Sequence, residues 1–257
     1  MNKRETLIAY SIKHGGDFNK ILKAVKELEI VEDAYLETVK NLQCGTLTII
    51  DPDYPLFLKN IFKPPLVLYY YGDINLLSDY ARNVSIVGSR DYSEYGERMT
   101  REIASGLVKR GFYIVSGMAR GIDGIAHETA IKEGGKTIAV LGSGIDYCYP
   151  QENAELYEEI KKYHLVISEY PGDLAPNSWN FPIRNRIIAG ISKTLVVTEA
   201  GERSGSGITA ALAMGGNTDV MCVPYPAGSH SQCNKLISQG AALVESAEEV
   251  IEQMSTF

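Results

Sequence analysis

The stretch Val84-Ser85-Ile86-Val87-Gly88-Ser89-Arg90, with the helix-like segment Glu94–Lys109 and the apolar run Tyr113–Val115 after it, decides the fold. An apolar β-branched run, a tight turn and an amphipathic stretch make one strand-helix unit. The unit recurs down the chain. Further strands are predicted at Thr137–Leu141, Leu165–Ile167, Leu195–Thr198, Val220–Val223 and Ala242–Val244. Helices are predicted between them at Ile122–Lys132, Asn153–Lys162, Ile187–Ile191, Ile208–Met214 and Asn234–Ser238. Alternating strands and helices build a parallel sheet. Strands that are apolar throughout, not alternating, are covered on both faces. The fold class is therefore α/β, a doubly wound and mostly parallel sheet. In such sheets ligands bind beyond the carboxyl ends of the strands, where strand order reverses.

The chain changes character near residue 80. Leu7, Ile8, Ile12, Ile21, Leu22, Val25 and Leu28 recur at helical spacing, so residues 1–50 are expected to form a small helical module. Residues 51–80 carry Pro52, Pro55, Pro64 and Pro65 before the apolar run Leu66–Tyr71, and read as a linker with a short strand. Residues 81–257 form the core. The 257 residues, 45% apolar and 22% charged, exclude whole-chain disorder. No apolar run reaches membrane-spanning length and no apolar signal core follows Met1, so neither a membrane location nor secretion is expected. Cys44, Cys148, Cys222 and Cys233 show no CxxC spacing and read as reduced thiols in a cytoplasm. The four histidines are scattered, so no metal site is expected. A net charge of −7 argues against an all-over basic surface, not against a local basic mouth.

Five strand-end turns hold the candidate chemistry. Gly88-Ser89-Arg90 suits an anion through a close backbone, a hydroxyl and a guanidinium, although it lacks the GxGxxG dinucleotide pattern and a plain turn remains the alternative. Ser116–Gly124 places three glycines around Arg120, with Asp123 either capping a helix or orienting that arginine. Leu141-Gly142-Ser143-Gly144 permits close approach or is simply a tight turn. Glu169–Arg186 is too long for a plain connector. It ends in Arg184, Asn185 and Arg186 at a helix start, where the two arginine cations oppose the helix dipole and call for an anion. Its Trp179 and Phe181 either stack bases or plug the loop onto the core. Glu199–Thr209 enters a helix through Ser204, Gly205 and Ser206, a phosphate cradle without the GK[ST] of a nucleotide-triphosphate loop. Five of the ten arginines, Arg90, Arg120, Arg184, Arg186 and Arg203, fall in these turns. With a Rossmann-like strand order, the first and fourth turns would flank the switch crevice, and acidic residues such as Glu152, Glu155, Glu158 and Glu159 would face away.

A catalytic set is not demanded. Asp123, Asp146, Glu169 and Glu199 are candidate bases, and His127 reads as packing or solvated more than catalytic. There is no HExxH and no Ser-His-Asp spacing. An alternative reading pairs Glu199 with Gly205–Thr209 as a nucleotide-binding or nucleoside-monophosphate-cleaving site.

Taken together, these blocks resemble the DNA-processing protein A (DprA/Smf) family. The resemblance runs from about Tyr54 to Val250 through IVGSR, VSGMARGIDGIAH, VLGSGID, FPIRNRIIAG, VVTEAGERSGS and a final VP…N.LI..GA. It implies an extended Rossmann-like core that binds single-stranded DNA and loads the RecA recombinase onto it in natural transformation. It also implies a homodimer that is not an enzyme and uses no cofactor. The family's DNA pocket carries over to Gly88, Ser89, Arg90, Arg184 and Arg186, while Arg120, Asn185, Ser204, Gly205 and Ser206 join from the turns above. The chain ends at Phe257, just after the core, so the winged-helix-like domain of many relatives is not expected.

Overall fold

A computed structural model gives the architecture and describes residues 2–201, 204–216, 218–229 and 231–255. Three helices open the chain, α1 (Lys3–Lys13), α2 (Phe18–Glu27) and α3 (Asp33–Lys40). Then come β1 (Gly45–Thr48), α4 (Leu56–Lys59), β2 (Val67–Gly72) and α5 (Asn75–Ser78). The alternating part runs β3 (Asn83–Val87), α6 (Glu94–Lys109), β4 (Tyr113–Ser116), α7 (Ile122–Lys132), β5 (Thr137–Gly144), α8 (Ala154–Tyr163) and β6 (Leu165–Tyr170). It continues through α9 (Asn180–Gly190), β7 (Thr194–Val197), α10 (Gly205–Met214), β8 (Asp219–Cys222), α11 (Gln232–Ser238), β9 (Ala242–Leu243) and α12 (Ala247–Ser255).

Among the described residues one sheet takes in all nine strands, in the order β1-β2-β6-β5-β4-β3-β7-β8-β9. From β6 to β9 every pairing is parallel. The β1–β2 and β2–β6 pairings are antiparallel. The chain steps outward from β3 to β6, then returns to the other side of β3 with β7, so strand order reverses between β3 and β7. This is the doubly wound α/β architecture that the alternation implied.

Each strand sends alternate side chains to two covered faces, which is why the strands are apolar throughout. Val115, Val140, Ile167 and Val197 meet Ile187, Ile188 and Ala210 on one face. Val84, Ile86 and Ile114 meet Met99, Ile103 and Leu107 on the other. Each fully buried Leu or Ile contributes about 1.5–3 kcal/mol. Helix α6 shows how the sequence sets its own limits. Ser93 Oγ accepts from the Gly96 amide at 3.1 Å, Glu94 and Glu97 occupy the first turn, and Lys109 lies in the last.

The expected division near residue 80 is not a division of the sheet. Strands β1 and β2 extend it beyond β6. Leu7, Ile8 and Ile21 of the N-terminal helices share a core with Val67, Tyr69, Leu141 and Val166. Gly16 closes this contact, because a Cβ there would stand 2.5 Å from the Glu169 carbonyl oxygen. The helices α6 and α7 have the predicted bounds, whereas α9 starts at Asn180 rather than Ile187. All four thiols are free. Among the described residues, no helix is long and apolar enough to cross a membrane.

Candidate functional site

A cleft of about 690 Å³ opens beyond the carboxyl ends of β3 and β7, at the reversal of strand order. The turn after β3 forms one wall with Gly88, Ser89 and Arg90, and the start of α10 forms another with Ser204, Gly205 and Ser206. Phe181, Arg184 and Asn185 of α9 also line it. The turns flanking the reversal are thus the first and the fifth. The fourth reaches the cleft through Phe181, Arg184 and Asn185 of α9.

Arg90 is exposed, and its guanidinium carbon lies 5.5 Å from the centroid of the Phe181 ring. Ser89 Oγ donates to the Asp91 carbonyl at 2.7 Å, so its hydroxyl fixes the turn. Ser204 caps α10, with its Oγ 3.4 Å from the Gly207 amide and 2.8 Å from Ser206 Oγ. The first amides of α10 therefore face the cleft as a helix N-terminus, which favours an anion.

Arg184 is the floor. It is buried, and its Nη1 donates to the carbonyls of Gly117, at 2.6 Å, and Val140. Its Nε donates to Asn185 Oδ1 at 3.1 Å, and Asn185 Nδ2 reaches the Gly205 carbonyl at 3.4 Å. Asp123 faces Arg184 across Gly117. A Cβ on Gly117 would stand 2.6 Å from Asp123 Oδ2 and 2.7 Å from Arg184 Nη2. Burial pushes Arg184 down to about 10, with Asp123 opposing the shift and Arg90 adding to it. Burial pushes the Asp123 carboxyl up, against the pull of Arg184. Arg184 stays charged near neutral pH, in a place where an incoming phosphate offsets a desolvated cation.

The structure separates residues that the sequence grouped. Arg186 is not brought to the cleft. Its Nη2 pairs with Glu169 Oε1 at 2.6 Å, with both side chains buried, and its other nitrogens donate to the Lys63 and Ile183 carbonyls at 2.9 and 3.0 Å. Nor do the two arginines stand at a helix start: residues 184 and 186 lie inside α9 and, two apart, do not share a face. Arg120 stands outside the cleft and pairs with Asp91 at 2.8 Å, so Asp123 does not orient it. Trp179 is 74% exposed and neither lines the cleft nor plugs the core. Tyr149 takes the place beside Phe181, with ring centroids 5.6 Å apart. Glu152 does not face away, since it lines a side hollow shared with Arg90 and Arg120. Arg203 falls outside the described residues.

Of the candidate bases, Asp146 accepts from the Tyr71 hydroxyl at 2.7 Å. Glu199 accepts from the Ser93 amide at 2.9 Å and from Ser93 Oγ at 3.1 Å, at the start of α6 and outside the lining of the cleft. The alternative that pairs Glu199 with Gly205–Thr209 therefore loses its carboxylate. His127 is buried with Nδ1 2.6 Å from Thr137 Oγ1, which makes it a packing residue.

The sequence profile of the DNA recombination-mediator protein A family matches residues 45–255, from β1 into α12. The chain belongs to that family. The DNA processing protein DprA of Bacillus subtilis is 38% identical over 256 residues, covering 97% of this chain and 83% of the relative. Protein Smf of Synechocystis is 43% identical over 224 residues, covering 86% of this chain and 56% of that one. The X-ray structure of DprA from Streptococcus pneumoniae superposes with a TM-score of 0.82 at 35% identity, covering 96% of this chain and 92% of that chain. DNA processing protein A from Helicobacter pylori, described for its unique single-stranded DNA binding mode, gives 0.75 at 30% identity, covering 84% and 97%.

Sequence reasoning missed Tyr149 and Asp91 as cleft residues. Tyr149 sits in a strand-end turn, between Cys148 and Pro150, which was a usable signal. Asp91 follows the Gly-Ser-Arg turn directly, but a carboxylate beside an anion site has no sequence signature.

Proposed function

We propose that this chain binds single-stranded DNA in the cleft at the β3–β7 reversal, by its sugar-phosphate backbone and without sequence preference, and presents it to a RecA-class recombinase. The observation that carries the reading is the convergence of Arg90, the buried Arg184 and the α10 N-terminus on one cleft of an acidic protein. Guanidinium groups and helix-start amides hold phosphates, while Phe181 and Tyr149 offer flat faces to bases. Membership in a family of recombination mediators, and the single-stranded DNA binding described for the Helicobacter pylori relative, support the same ligand. In this reading the protein acts as a homodimer in the cytoplasm, by binding and hand-over rather than by catalysis, and needs no cofactor.

The test is fluorescence anisotropy with oligo-dT and with duplex DNA over a salt series. On single strands the slope of log affinity against log salt falls by about 0.7 for each phosphate contact removed. Arg90→Ala is expected to weaken binding about tenfold to a hundredfold, equally for all sequences, with a shallower slope. Wild-type affinity and slope in that variant would refute the reading.

A further inference from the structure

Arg90 also lines a second hollow, of about 510 Å³, next to the cleft. Its walls include Arg101, Arg120, Glu128 and Asn153, and Asp91 stands on the wall of both spaces. The juxtaposition is built in. The Ile122 amide donates to the Ser89 carbonyl at 3.1 Å, and a Cβ on Gly121 would lie 2.4 Å from that oxygen and 2.6 Å from the Arg90 carbonyl. The turn bearing Arg120 is thereby pressed onto the turn bearing Arg90. Arg101 is held by Glu97 at 2.9 Å and lies 3.7 Å from Glu128. Arg120 gives its Nη2 to Asp91 at 2.8 Å, with the Asp91 side chain 91% exposed and the Arg120 side chain 56% exposed. So exposed a pair is readily exchanged for another anion.

We propose that this hollow is a second phosphate subsite for the same single strand, and that Asp91 is its latch, occupying Arg120 until the next phosphates of a longer strand displace it. The inference rests on the cleft reading above and adds a track beyond it. A strand held over Arg90 meets Arg120 as the next cation, and a basic groove that follows the backbone is how single strands are held without sequence preference. Asp91 makes engagement conditional on length: a fragment filling only the cleft leaves the latch shut.

Binding of oligo-dT of about 4 and about 12 nucleotides tests this, on wild type, Asp91→Asn, Arg120→Ala, the double variant and Arg90→Ala. Asp91→Asn is expected to tighten the long oligomer by up to about fivefold, and by more than any gain at the short one. Arg120→Ala is expected to weaken only the long oligomer and to lower its salt slope by about 0.7. The length-dependent excess from Asp91→Asn vanishes once Arg120 is alanine. A length-dependent excess that persists without Arg120, or a gain equal at both lengths, reduces Asp91 to general repulsion and overturns the latch. Should Arg90→Ala lose both oligomers while Arg120→Ala and Asp91→Asn match wild type, the second subsite alone fails. Full binding by Arg90→Ala removes the cleft reading and the subsite with it.

Discussion

Replacing Arg186 by alanine distinguishes a brace from a phosphate ligand. The guanidinium is one partner of a buried ion pair with Glu169, and it also serves the Lys63 and Ile183 carbonyls. Removing it leaves the Glu169 carboxylate buried without its cation, which costs about 3–5 kcal/mol. That is a large share of the roughly 5–15 kcal/mol that holds a domain folded. Chemical denaturation in urea, followed by circular dichroism, should show the midpoint falling by about 1–2 M with the slope unchanged. Under conditions where the variant is still folded, oligo-dT affinity and its salt slope should equal those of wild type. Replacing the pair together, as Arg186→Met with Glu169→Leu, should recover most of the stability, because no charge is then stranded. The reasoning is refuted if Arg186→Ala unfolds at the wild-type midpoint yet binds DNA more weakly with a shallower slope.

Gly117→Ala places a Cβ against Asp123 Oδ2 and Arg184 Nη2, so it should displace the cleft floor and weaken oligo-dT binding while thermal unfolding shifts by a few degrees; unchanged affinity would show that Arg184 does not hold DNA. Phe181→Ala should weaken binding by about 1–3 kcal/mol, the worth of a stacked base, and Trp179→Ala should leave it within error; the reverse order in anisotropy would move the stacking face to the exposed loop. Burial holds His127 down to about 3 and His164 to about 4, against 6.5 for a free imidazole. Between those values the unfolded chain binds more protons, so stability is fully present above about pH 6.5 and is lost as pH falls, by about 1.4 kcal/mol per pH unit for each histidine. Burial pushes Asp123 and Glu169 up, which works in the opposite sense. The measurement is therefore the difference between wild type and His127→Gln in urea at pH 7 and pH 5, where the variant should lose about one proton of pH dependence.

The parallel core was legible because its strands are buried on both faces, and burial on both faces leaves an unbroken apolar run in sequence. Two features were not legible. Gly45–Thr48 has only Leu47 as a large apolar residue, so its place at the sheet edge is set by pairing with Val67–Tyr70 rather than by its own pattern. Helix α9 was hidden by Pro182, which reads as a breaker but sits in the first turn, where a missing N–H does no harm. That single misreading moved Arg184 and Arg186 from the middle of a helix to its start. It turned two residues on different faces into an apparent pair. The Arg90 turn needed no such inference, since it directly follows a strand whose ending the sequence marks.

The glycines of the strand-end turns, read from sequence as room for a phosphate, do other work as well. At Gly121 the space a side chain would take is filled by the carbonyls of Ser89 and Arg90, and at Gly142 by the Phe181 ring, 2.8 Å from where a Cβ would lie. The turns are keyed into one another at the places where they lack side chains. Arg90, Arg120 and Phe181 are thereby held relative to one another by contacts of the turns themselves. A cleft assembled this way spends little binding energy on ordering itself when a strand arrives. In the proposed reading it would hold DNA through cations and a ring face rather than base-edge donors, which suits binding without sequence preference. Substituting Gly121 with alanine should therefore lower affinity for every oligonucleotide alike, and a variant that altered preference between sequences would contradict this account.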